Sequence, residues 1–152
     1  MSDALGSREA LQALGAPLEF VGPTRWECFG VGGVQTILEA LALTAPRLEG
    51  GVVVITSTYR PPSSRFSWHQ RFAAVDVRTG IYRGDDGELE LGRRRGSILA
   101  SSPRQALEVG RRWKSDLEAR LGSTFDVVFG DDDAHLDHLH LERDGAKRRG
   151  SA

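Results

Sequence analysis

Residues 138–142 read HLHLE. Strict alternation is the period of an extended strand, whose successive side chains project to opposite faces. Leu139 and Leu141 therefore turn into a core, while His138 and His140 point together the other way. The strand has one apolar face and one polar face, and FDVVFG at 125–130 reads as its partner in a last pair of strands.

The remaining elements follow in order. VVVITS at 52–57 is β-branched, too short for a helix and apolar on both faces, so it reads as an interior strand. FAAVDVRTG at 72–80 reads as a second strand, and residues 81–101 as an exposed hairpin or excursion with Asp86-Gly87 at its turn. Between these two strands, YRPPSSRFS is a loop of prolines and serines. Residues 33–45 place Val34, Ile37, Leu38, Leu41 and Ala45 on one helical face, and Pro46 stops that helix. A longer helix starts at a capping box of Ser102, Pro103 and Gln105. Leu107 or Ala106, Val109, Trp113, Leu117 and Leu121 then keep its period until Gly122. Its other face carries Arg111, Arg112, Lys114, Asp116, Glu118 and Arg120 and is expected to be solvated.

A chain of 152 residues supplies one domain with a sizeable core, and residues 1–152 are expected to form one, with 144–152 a flexible basic tail. Charged residues are 27% and the net charge is -1, which gives no bias toward polyanions, so nucleic acid is not an expected partner. The lone Cys28 excludes an internal disulfide framework and any multi-cysteine metal site. The first twenty residues lack the pattern of a signal peptide, and no run of about 18 apolar residues occurs. The expectation is a soluble product, cytoplasmic as synthesised, without membrane insertion and monomeric.

Three of the four histidines, His135, His138 and His140, fall within six positions. Asp76 sits between Val75 and Val77 in an apolar strand, where a carboxylate is costly unless it is paired or holds a metal. With thiolates absent, imidazoles and a carboxylate are the donors zinc takes, and three protein ligands leave a fourth position for water. His69, Asp76 and His140 would form such a set. Asp131, Asp132 and Asp133 lack the glycine and glutamate of a calcium loop and read as a solvated turn.

TSTYRPPSSRFSWHQRFAAVDV, followed some sixty residues later by DHLHLE, resembles the zinc peptidases of the D-alanyl-D-alanine carboxypeptidase and dipeptidase type. That superfamily includes phage L-alanyl-D-glutamate endolysins, the penicillin-insensitive murein endopeptidase and the Hedgehog signalling domain. The resemblance covers roughly residues 52–143 and implies a small α+β domain around an antiparallel sheet with flanking helices. It implies His69, Asp76 and His140 as ligands of Zn2+, and Arg60 as the arginine that holds the substrate carbonyl or oxyanion. It further implies Ser67 as a hydrogen-bonding neighbour of the first ligand and Asp137 as the general base. His135-x-x-His138-x-His140 is also similar to the murein endopeptidase, where an extra histidine assists. The pattern departs at Phe72, where the family usually has glycine, and beside the last histidine, where His138 and Leu139 replace the usual tryptophan or proline.

The resemblance therefore implies a metallopeptidase that hydrolyses peptidoglycan stem peptides as a carboxypeptidase or endopeptidase, and residues 80–100 are the candidates for a cleft wall. On a regular strand Asp137 and His140 face opposite sides, so Asp137 reaches the site only from a turn leading into the strand. His138 shares a face with His140 and has an ordinary pKa near ~6.5, so it competes with Asp137 for the role of base. His135 is left beside the site without an assigned role. The alternative reading is a catalytically silent module, such as a phage or secretion-associated component, in which the metal only holds the fold.

Overall fold

The computed structural model describes residues 17–21, 34–57, 74–130 and 135–143. Cys28, Trp68, Phe72, the aspartate run 131–133 and the basic tail lie outside the described residues.

Helices and strands both form, giving an α+β architecture. In chain order the elements are β1 (Leu18–Phe20), α1 (Val34–Thr44), β2 (Val53–Ser57), β3 (Ala74–Arg78), β4 (Ile81–Arg83), β5 (Leu89–Leu91), α2 (Pro103–Leu121), β6 (Phe125–Val128) and β7 (His138–Arg143). One sheet of five strands runs in the order β1-β2-β3-β7-β6, and β4 and β5 form a separate hairpin. The expectation of an antiparallel sheet holds for β2 through β6, and β1 departs from it by pairing parallel to β2. That edge strand puts β2 inside the sheet, which is why Val53, Val54 and Ile55 are fully buried.

The alternation in β7 sorts the sheet into two faces. Val53, Ile55, Val75, Val77, Val127, Leu139 and Leu141 form one core with Ile37, Leu38 and Leu41 of α1 and Ala106, Trp113 and Leu117 of α2. Both helices thus cover the leucine face. On the opposite face, Gly96 lies against β2 with φ of 90°, where a Cβ would come 2.5 Å from Val54 Cγ2, so only glycine lets this segment cover the strand.

Local sequence chemistry sets the ends of α2. The Ser102 hydroxyl accepts a hydrogen bond from Gln105 N at 3.1 Å, and Pro103 occupies the first turn. The Gln105 side chain completes the start one residue earlier than a capping box would, its Oε1 accepting from Ser101 N at 2.6 Å. In the hairpin, Asp86 Oδ1 accepts from Glu88 N at 3.0 Å and closes the expected turn.

Gly110 of α2 stands where the helix meets Phe129: a Cβ there would lie 2.4 Å from two ring carbons. Helix propensity alone would favour alanine by about 1 kcal/mol, but overpacking against a fully buried ring costs roughly 1–3 kcal/mol. Gly110→Ala is therefore expected to lower the urea midpoint with an unchanged m-value, and a raised midpoint would show that Phe129 yields freely.

Candidate metal and acid–base site

The polar face of the sheet gathers the chemistry. β3 and β7 pair antiparallel with Asp76 directly opposite His140 and Arg78 opposite His138. Asp76 is 4% exposed, and His140 Nδ1 donates to its Oδ1 at 2.7 Å. The carboxylate buried in an apolar strand thus has the partner its burial requires.

The second ring nitrogen of His140 is held as well. Glu142, two residues along the same strand face and 7% exposed, accepts from His140 Nε2 through Oε1 at 2.6 Å. The reading of the sequence did not assign Glu142, although the alternation that aligned His138 with His140 carries one step further to it. A carboxylate behind an imidazole fixes the ring and raises its basicity, which is how outer groups orient a metal-binding histidine.

Asp137 lies on the turn that leads into β7, the one position from which it reaches this face. Thr79, fully buried at the end of β3, holds that turn: its amide donates to the Asp137 carbonyl at 3.0 Å and its hydroxyl donates to the Leu136 carbonyl. The Asp137 carboxylate, with 65% of its side chain exposed, accepts from His138 Nδ1 at 2.7 Å. His138 Nε2 is then 4.0 Å from Asp76 Oδ1. The two candidates for the base are thus bonded to each other. The His135 ring stands 5.4 Å from that of His138 and 6.1 Å from that of His140, centroid to centroid, so all three clustered histidines share one place.

Asp76, His135, Asp137, His138 and His140 therefore lie close together. Arg60, Ser67 and His69 lie outside the described residues. Among the described residues no three histidine, cysteine or acidic side chains make a group that could hold a metal ion. Asp76 and His140 nevertheless supply two donors of the kind zinc takes, across one ladder step. The chain matches no protein-family model, no curated protein and no solved structure.

Without a metal, His140 is a strong base. Burial opposes its charge, but hydrogen bonds to Asp76 and then Glu142, and the charges of both, more than offset this and raise its pKa to about 9 from 6.5. Because the folded value lies above the unfolded one, this contribution to stability is complete below about pH 6.5 and is lost as pH rises through about 9. In metal-free protein, NMR of the His140 ring is expected to titrate near that upper value, and Glu142→Ala to move the midpoint down. A midpoint unmoved by the substitution would remove Glu142 from the account.

Proposed function

We propose that the protein is a zinc-dependent peptidase that hydrolyses peptide bonds in peptidoglycan stem peptides, related in fold and site to the D-alanyl-D-alanine carboxypeptidase and Hedgehog superfamily. The observation that carries the reading is the buried Asp76 facing His140 across β3 and β7, with Glu142 behind the imidazole. Among the described residues both helices pack on the leucine face of the sheet, and the ionisable side chains of the site gather on the other.

Asp76 and His140 would hold the metal together with His69, and the residues that are described suit it: a carboxylate and an imidazole whose far nitrogen is already fixed. Zinc, when bound, supplies a Lewis acid for the scissile carbonyl and lowers the pKa of water toward ~7. The chain's own residues manage the proton. Because Nδ1–H of His138 donates to Asp137, the neutral ring carries its lone pair on Nε2, on the side of Asp76. His138 takes a proton from the attacking water through that nitrogen and returns it to the leaving amine, and Asp137 fixes the tautomer and steadies the charged ring. Arg60, from the family resemblance, would hold the developing oxyanion.

Two substitutions separate binding from chemistry. His140→Ala is expected to lose both zinc retention and hydrolysis, measured by metal analysis and by mass identification of products from defined stem peptides. His138→Ala is expected to retain zinc and to lose about 10²–10⁴-fold in kcat. If the His138 variant cleaves at the parental rate, the acid–base assignment fails. If the parent retains zinc but cleaves none of the peptides, the silent metal-stabilised module is the better reading.

No helix among the described residues is long and apolar enough to cross a membrane.

A further inference from the structure

A pocket of about 370 Å³ opens beside the acid–base pair, walled by Gly80, Tyr82, Gly92, Arg94 and Asp137. Three kinds of surface meet there. Gly80 and Gly92 contribute backbone only, tied by a hydrogen bond from Gly92 N to the Gly80 carbonyl at 2.7 Å. Tyr82 contributes an aromatic ring, and Arg94 and Asp137 contribute one charge of each sign.

The tyrosine is held, although it is 44% exposed. Glu90 is its cross-strand partner in the β4–β5 hairpin, and the Tyr82 hydroxyl donates to Glu90 Oε1 at 2.9 Å. The ring edge lies over Gly92, where a Cβ would come 3.8 Å from Tyr82 Cε1. A ring anchored at its polar end, with much of its surface in solvent, can serve as a stacking platform.

The charges restrict what stacks on it. Arg94 only donates hydrogen bonds, and an ionised Asp137 only accepts them: its Oδ1 accepts from His138 Nδ1, and Oδ2 remains able to accept. An anionic ligand is opposed by Asp137 and a cationic one by Arg94, while a purely apolar one strips water from both without replacing it. A hydroxyl both donates and accepts, so neighbouring hydroxyls on one ring satisfy both groups at once. A pyranose also presents C–H bonds on its ring face, whose partial positive charge suits the negative face of tyrosine. We infer that this pocket binds a neutral sugar ring, stacked on Tyr82 and held through its hydroxyls by Arg94 and Asp137. The inference goes beyond the peptidase reading and does not rest on it. If both hold, the substrate carries a sugar close to the scissile peptide, because Asp137 borders the pocket and also holds His138.

Calorimetric titration of the whole chain with three probes decides the matter: the N-acetylglucosamine trimer, glucuronate as an anionic sugar, and alanine as a zwitterion without a ring. The neutral trimer is expected to bind with little dependence on salt, and the other two to bind about tenfold or more weaker. Tyr82→Ala is expected to weaken the trimer about tenfold or more, and Tyr82→Phe to keep most of its affinity because the ring remains. Arg94→Gln, which leaves Tyr82 untouched, is expected to weaken it as well. No binding of the trimer, equal binding of glucuronate or alanine, or trimer affinity unmoved by Tyr82→Ala overturns the inference. Stem peptides without sugar test the peptidase reading separately. Their cleavage without trimer binding removes the sugar pocket alone, and trimer binding through Tyr82 without cleavage removes the peptidase reading alone.

Discussion

The pairing of Asp76 with His140 across β3 and β7 is the contact on which the polar side of this domain depends. A carboxylate and an imidazole buried together are tolerable only while each satisfies the other, because either one alone would leave a charge or a polar group stranded in low dielectric. Glu142 extends the pair to a row of three, and His138 stands over the other end with Asp137 at its back. The row lies along two adjacent strands, so its spacing is set by the ladder rather than by mobile side chains. Rigid placement of this kind is what a metal site or an acid–base pair requires.

The two faces of the sheet divide the labour. The leucine and valine face carries the burial of α1 and α2, and residues there can be judged by packing alone. Among the described residues no helix of that core lies on the opposite face, which holds ionisable groups close together. Thr79 links the two demands: it is fully buried, yet the hydrogen bonds of its amide and hydroxyl to the Asp137 and Leu136 carbonyls fix the turn from which Asp137 meets His138.

Much of the fold was legible in residue pattern. The period of α2, its start at Ser102 and its stop at Gly122, the hairpin turn at Asp86 and the alternation of β7 all stand where local chemistry puts them. The parallel edge strand β1 was not legible, because three residues carry no pattern and the direction of pairing is a matter of where the chain returns. Gly110 likewise reads as a weak spot in a helix until Phe129 is seen against it. Asp76, His138 and His140 were recognisable from charge in an apolar strand and from alternation. Glu142 was missed because a glutamate at the end of a strand resembles ordinary solvent-facing polarity, and only burial distinguishes it.

By itself the sequence determined which side chains share a face: alternation sends His138, His140 and Glu142 one way and the leucines the other. It could not determine which of them meets Asp76. A slip of two residues between β3 and β7 preserves every face, and would set Asp76 against His138 or Glu142 instead. The tertiary structure chose His140, through contacts distant in the chain such as those of Thr79 with Leu136 and Asp137, which lock the register.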